Sequence, residues 1–162
     1  MKHFAVIGNP VDHSLSPAMH QWVFDSLNID AEYKKIKLEE NELPQIIQKV
    51  QNSELDGINI TIPYKETIME YLDDINERAM SIGAVNCILR SGSKIVGNNT
   101  DWYGFTMAMK KNDIDLQGRE LIIIGAGGSA KSILYALKQM GVHKIFLLNR
   151  SIKKAQTLQD NS

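Results

Sequence analysis

The sequence predicts an α/β protein: a mostly parallel open sheet with helices on both faces, followed by an incomplete βαβ unit. Three observations carry that prediction. Short apolar runs, such as Phe4-Ala5-Val6-Ile7 and Ile58-Asn59-Ile60-Thr61-Ile62, alternate with longer stretches of helical spacing. Glycine and proline sit at the ends of those runs rather than inside them. Late in the chain the pattern restarts: a fully apolar strand, Leu121 to Ile124, leads into a glycine-rich turn and another helix.

Taken in order, Phe4 to Gly8 reads as a buried strand ending in a turn. Pro17 to Leu27 is a helix, with Pro17 in its first turn and Ser16 as a candidate N-cap. Its apolar positions Met19, Val23, Phe24 and Leu27 recur at helical spacing. Glu32 to Lys37 alternates and reads as a second strand. Leu43 to Val50 is a helix that opens near Pro44, and Gly57 to Ile62 is a strand stopped by Pro63. Lys65 to Leu72 and Asp73 to Ile82 read as two short helices. Val85 to Arg90 and Lys94 to Val96 are strands joined by Ser91-Gly92-Ser93, a hairpin signal. Asp101 to Lys111 is a helix, which Trp102, Tyr103 and Phe105 pack into place. After Leu121 to Ile124 come a helix from Ser129 to Met140 and a strand from Ile145 to Leu148. The polar stretch 112–118 divides the chain into domains 1–113 and 118–162.

Composition narrows the function. With 162 residues, 43% hydrophobic and 23% charged, the chain suits a soluble globular protein. Its net charge of −1 supplies no global field for nucleic acid or an anionic membrane. A bound anion therefore needs a local site. No apolar run approaches the roughly 18 residues of a membrane span. Cys87 is the sole cysteine, which fits a reducing cytoplasm and is expected in the core. No metal-ligand cluster is expected.

The glycine-rich turn Gly125-Ala126-Gly127-Gly128-Ser129-Ala130 follows a strand and opens a helix. That context suits a Rossmann-like dinucleotide site, where glycines admit a pyrophosphate to a helix N-terminus. The spacing excludes a Walker-type loop. At the end of the next strand, an NAD site usually carries a carboxylate. This chain has Asn149-Arg150-Ser151 there, with Lys153 and Lys154 just beyond. A guanidinium clamps a 2′-phosphate that a carboxylate would repel, so NADP is expected over NAD. The bland alternative is a basic surface turn.

In the first domain, polar residues gather at strand ends: Ser14 and Ser16, Asn59 and Thr61, Lys65, Asn86, and Asn99-Thr100-Asp101. Ligands of open α/β sheets bind at the carboxyl ends of strands. Hydroxyls, amides, an amine and a carboxylate suit a small polyhydroxylated acid. Each residue also has a structural reading. Ser16 and Asp101 serve as N-caps, Asn59 satisfies backbone groups at a strand end, and Lys65 is a solvated lysine at a helix start. His13 reads as a loop residue.

Gly8-Asn9-Pro10 with His13-Ser14-Leu15-Ser16-Pro17, and Asn59-Ile60-Thr61-Ile62-Pro63-Tyr64-Lys65, resemble the signatures of shikimate dehydrogenases. Gly83-Ala84-Val85-Asn86, the run Gly97 to Phe105, the glycine loop and Asn149-Arg150-Ser151 resemble further blocks of that family, in the same order. Tyr64 stands where histidine is common, and Cys87 where threonine is frequent.

The resemblance implies that Ser14 and Ser16 hold the substrate carboxylate. It implies that Asn59, Thr61, Asn86 and Asp101 bind ring hydroxyls, and that Lys65 and Asp101 form an acid–base pair. Gly125, Ala126, Gly127, Gly128, Ser129, Ala130, Asn149, Arg150, Ser151 and Lys154 would hold NADP. The implied activity interconverts shikimate and 3-dehydroshikimate in the aromatic amino acid pathway. Independently of the analogy, alcohol oxidation needs a base for the hydroxyl proton, and a free lysine at about pKa 10.4 is a poor one unless its surroundings lower it.

The family resemblance also implies a longer parent that completes the nucleotide-binding domain, so the chain alone is expected to be weakly active or inactive. Alternative readings are a quinate- or NAD-using relative, a non-catalytic shikimate-binding module, and a fragment that assembles as a homodimer.

Overall fold

The computed structural model describes residues Met1 to Asp160. The expected end of the second domain at residue 162 lies outside the described residues. The chain forms two compact units. The first comprises Met1–Ser81 and Val85–Asn98; the second comprises Ile82–Ala84 and the chain from Asn99 onward.

The first unit is built on a six-stranded mixed sheet. Its strands are β1 (Lys2–Gly8), β2 (Ala31–Lys37), β3 (Gly57–Ile60), β4 (Asp74–Ile75), β5 (Cys87–Ser91) and β6 (Lys94–Asn98), in the order β2-β1-β3-β5-β6-β4. β1 pairs parallel with β2 and β3, and β4 pairs parallel with β6. The antiparallel pairs are β3 with β5 and the β5–β6 hairpin.

Side chains alternate across the sheet. Ala5, Ile7, Ile58 and Ile60 form a core with Leu43, Ile46, Ile47 and Val50 of helix α2 (Leu43–Gln51). Phe4, Val6 and Tyr33 face the other way, with Phe24 of helix α1 (Ser16–Ser26). Helices thus lie on both faces, as expected.

Several local readings need correction. The helix α1 begins at Ser16 itself, after Leu15, so Ser16 does not cap it; the Ser16 N–H instead donates to Ser14 Oγ at 3.3 Å. The α1 stripe that packs is not Met19–Val23–Leu27. His20 and Phe24 make the ring contacts, with Phe24 5.6 Å from Phe4, while Met19 and Leu27 stand exposed. The stretch read as two short helices is a 3-10 segment (Thr67–Tyr71), the edge strand β4, and helix α3 (Glu77–Ile82). Asp73 accepts the Ile95 N–H through Oδ2 at 2.7 Å, which ties this stretch to β6. Cys87 is only half-buried.

The second unit contains helix α4 (Asp101–Lys111), strand β7 (Glu120–Ile124), helix α5 (Gly128–Gln139), strand β8 (Lys144–Leu148) and helix α6 (Ile152–Asp160). β7 and β8 run parallel, which completes the βαβ unit. Ile123, Ile145 and Leu147 pack on one side with Leu134 and Leu158. Ile122, Ile124, Phe146 and Leu148 are exposed on the other. Helix α6 has no counterpart among the expected elements, because Ala155 and Leu158 are its only apolar residues after Ile152.

The division into units falls at Asn98/Asn99 rather than at 113–118. The physical reason is that α4 packs on α5, with Trp102 and Tyr135 edge-to-face at 5.7 Å. Tyr103 is 55% exposed and does not share that packing role. Two buried polar side chains reinforce the contact. Asn99 Nδ2 donates to Ser132 Oγ at 2.9 Å and to the Ala84 carbonyl at 2.8 Å.

Two outcomes test this packing. A methyl group at Gly8 would sit 2.8 Å from the Ile62 carbonyl oxygen, which is backbone and cannot swing away. Gly8→Ala is expected to cost about 1–3 kcal/mol in urea denaturation; an unchanged midpoint would refute the close approach. Ser132→Ala removes a partner from the buried Asn99 amide, with an expected loss of about 1–3 kcal/mol read in the same assay.

Candidate functional site

Parallel pairing brings the ends of β1 and β3 together. The Thr61 N–H donates to the Ile7 carbonyl at 2.9 Å, and the Asn9 N–H donates to the Ile62 carbonyl at 3.0 Å. The segments that follow carry Ser14, Ser16 at the start of α1, and Lys65. From β5, the Asn86 carbonyl accepts the Ile60 N–H at 2.8 Å, and the Asn86 N–H donates to the Asn98 carbonyl at 2.9 Å. The Lys65 carbonyl accepts the Val85 N–H at 2.7 Å. The first unit therefore brings Ser14, Ser16, Asn59, Thr61, Lys65 and Asn86 to neighbouring strand ends.

A run of hydrogen bonds crosses this region. Ser14 Oγ donates to Ser16 Oγ at 3.1 Å. The Ser16 hydroxyl lies beside the Tyr33 phenol. Tyr33 Oη donates to Asn59 Oδ1 at 2.6 Å, and Asn59 Nδ2 donates to the Asn86 carbonyl at 3.3 Å. In the sequence Tyr33 reads only as a strand residue. The signal was available, since a buried tyrosine hydroxyl needs a polar partner. Burial pushes this phenol well above its ordinary pKa, with the Ser16 hydrogen bond opposing in part. The hydroxyl therefore stays protonated and remains a donor.

Lys65 is 9% exposed, which corrects its reading as a solvated lysine. Beside it, Tyr64 acts as a peg. Its side chain is 3% exposed, and Oη donates to the Leu38 carbonyl at 2.8 Å. Burial, and then the nearby Glu39 carboxylate, raise the Tyr64 phenol.

Asp101 lies in the second unit, in the first turn of α4. The N-cap is Thr100, so Asp101 is not the cap. Its N–H donates to Asn99 Oδ1 at 3.0 Å.

The glycine loop of the second unit runs from β7 into α5. Gly125 has φ +113°, a conformation that favours glycine, and its N–H donates to the Leu148 carbonyl at 2.8 Å. A Cβ placed on Gly125 or Gly127 would meet nothing within 4 Å, so the loop backbone is open to approach. Gly127 is the N-cap of α5, followed by Gly128, Ser129 and Ala130 in its first turn. The first N–H groups of a helix have no intrahelical partner and favour an anion.

At the end of β8, Asn149 Nδ2 donates to the Ser151 carbonyl at 2.8 Å. Ser151 Oγ accepts the Lys154 N–H at 3.5 Å, which places it as a cap of α6. Arg150, Lys153 and Lys154 are exposed. An open glycine backbone and exposed basic side chains at the second strand end fit a dinucleotide that carries an extra phosphate.

Comparison with known proteins agrees with this architecture. A family model described as the shikimate dehydrogenase substrate binding domain matches residues 6–88, over half of the chain. A second, described as shikimate / quinate 5-dehydrogenase, matches residues 106–162. A curated relative from Bacillus cereus (strain G9842), named shikimate dehydrogenase (NADP(+)), is 40% identical over 156 residues, which is 96% of this chain and 56% of the relative. The crystal structure of shikimate dehydrogenase from Aquifex aeolicus superimposes with a TM-score of 0.93 at 34% identity, covering 99% of this chain and 60% of that one. The Thermus thermophilus shikimate 5-dehydrogenase in complex with NADP(H) and shikimate gives a TM-score of 0.90 at 37% identity, with coverage of 99% and 60%. The chain therefore spans just over half the length of the curated relatives it matches. Two family models in sequence along one chain, and shared folds across nearly all of it, lead to one conclusion: the chain belongs to the shikimate dehydrogenase family.

Proposed function

We propose that this protein serves the NADP-dependent interconversion of shikimate and 3-dehydroshikimate. The observation that carries the reading is the set Ser14, Ser16, Asn59, Thr61, Lys65 and Asn86, which β1, β3 and β5 bring to neighbouring strand ends. Ser14 and Ser16 suit the carboxylate, because a pair of hydroxyls can donate to both of its oxygens. Asn59, Thr61, Asn86 and Asp101 take the ring hydroxyls. Oxidation removes a hydride from carbon and a proton from the attached hydroxyl. When bound, the nicotinamide accepts the hydride. Lys65 and Asp101 together move the proton. The buried setting of Lys65 shields that exchange from bulk water.

In the second unit, Gly125, Ala126, Gly127, Gly128, Ser129 and Ala130 hold the pyrophosphate. Asn149, Arg150, Ser151 and Lys154 receive the adenosine end, with Arg150 as the 2′-phosphate clamp. The names of the relatives, which specify NADP(+), support NADP as the cofactor.

One observation favours a second reading, a shikimate-binding module without turnover. Every substrate candidate except Asp101 lies in the first unit. Calorimetry with shikimate, run beside an NADPH absorbance assay, separates the two: heat without NADPH means binding alone, and neither signal rejects both.

Where turnover is present, Lys65→Ala is expected to lower kcat by about 100-fold or more while largely sparing shikimate affinity. Unchanged kcat would remove Lys65 from the mechanism. Arg150→Ala is expected to weaken NADP binding by about 10–100-fold and leave NAD binding nearly unchanged. An equal loss for both cofactors, read by fluorescence titration, would sink the clamp.

A further inference from the structure

We infer that Tyr33 is a positioning residue for the proposed shikimate pocket: its phenol, beside Ser16, donates to Asn59 and selects the orientation of the Asn59 amide. The inference rests on the functional reading above, and it names a residue on which that reading does not depend.

Tyr33 and Asn59 are on strands that do not touch. β1 lies between them. In register, Tyr33 stands beside Phe4, whereas Asn59 stands beside Val6, two residues further along and on the same face. The tyrosine side chain reaches over β1 to close that gap, and its hydroxyl ends 2.6 Å from Asn59 Oδ1. The Ser16 hydroxyl, at the start of α1, lies beside the same phenol. Three separate segments therefore come together around this side chain.

The bland explanation is that a buried hydroxyl simply needs a partner. Tyr64 shows what that looks like, because its hydroxyl donates to a backbone carbonyl, that of Leu38. Tyr33 differs in that its hydroxyl donates to a side chain proposed to touch the ligand, that of Asn59. An asparagine amide can turn over, which exchanges its donor and acceptor ends. Tyr33 donates to Oδ1 while the Asn86 carbonyl accepts from Nδ2, and both contacts select one orientation. The second Nδ2 hydrogen is then directed consistently as a donor, which suits a ring hydroxyl oxygen.

The ring itself is held. His20 stacks flat on Tyr33 with centroids 4.4 Å apart and planes 3° from parallel. Burial lowers the His20 pKa, which favours a neutral ring in that stack.

The test uses the 162-residue chain and shikimate as the probe, with dissociation constants from NMR titration. Tyr33→Phe keeps the ring and its stack but loses the hydroxyl. It is expected to weaken shikimate binding by about tenfold and, before any ligand is added, to shift the Asn59 side-chain amide resonances. The effect is expected to depend on Ser16, so that Tyr33→Phe added to Ser16→Ala costs clearly less than it does alone. Phe24→Leu, which disturbs the same packed cluster but leaves the hydroxyl and the His20 stack, is expected to change affinity by less than about threefold.

Equal affinities for Tyr33→Phe and the unsubstituted chain would overturn the inference and leave the shikimate reading standing. So would equal losses for Tyr33→Phe and Phe24→Leu, which would mark the effect as packing. No binding by the unsubstituted chain would instead bring down the functional reading, and this inference with it. Should Tyr33→Phe fail to fold, a cycle between Ser16→Ala and Asn59→Ala replaces it. Coupling above about threefold supports the link, and additive losses overturn it.

Discussion

The parallel pairing of β1 with β3 is the constraint on which the first unit depends. Phe4 lies opposite Gly57 and Ile7 opposite Ile60, so both strands finish at the same level. Parallel strands send their following loops out at one end, where no further ladder uses the backbone. The pairing continues past the regular strands through Thr61 to Ile7 and Asn9 to Ile62. That extension requires close approach at Gly8, and it sets Thr61 and the loop to Lys65 against the loop that carries Ser14 and Ser16. Had β3 run antiparallel to β1, the serines and Asn59 would lie at opposite ends of the sheet.

Placed together, those polar groups satisfy one another. The described residues contain no buried side-chain nitrogen or oxygen atom without a hydrogen-bond partner. A hydrogen-bonded polar cluster is ordered in advance, which limits the entropy lost when a ligand binds. It also limits the gain, because a ligand that takes a donor already in use replaces an existing hydrogen bond. Each exchange is worth about 0.5–1.5 kcal/mol for neutral partners and about 1.5–3 kcal/mol when one partner is charged. On the proposed reading, the substrate carboxylate therefore has more to gain than the ring hydroxyls.

Much of this fold was legible because apolar strands with closing glycine or proline leave a strong signal. β1, β3, α4 and the β7–α5–β8 unit fall within a residue or two of their expected limits. What escaped depended on long-range contacts. β4 is a two-residue strand that exists only because β6 lies alongside it. Helix α1 carries two overlapping apolar stripes, and the sequence could not say that His20 and Phe24 would face the sheet rather than Met19 and Leu27. The boundary between units was misplaced for the same reason, because the pairing of Asn99 with Ser132 joins residues 33 positions apart. At the site, strand ends flagged Ser14, Asn59 and Lys65, whereas Tyr33 looked like any apolar residue in an alternating strand.

Asn99 shows how occupancy separates support from function among similar amides. Its Nδ2 donates to the Ala84 carbonyl and Ser132 Oγ, and its Oδ1 accepts the Asp101 N–H. An amide has two donor hydrogens, and both are spent inside the second unit. It is 2% exposed, so no ligand reaches it. Asn59 is different: one Nδ2 hydrogen is assigned to Asn86, and its side chain is only partly buried. The work of Asn99 is to fix the first turn of α4, where an acidic residue gains about 0.3–1 kcal/mol from the helix dipole. That argument assigns Asn99 to holding Asp101 in place, although the two asparagines look alike as polar residues at strand ends.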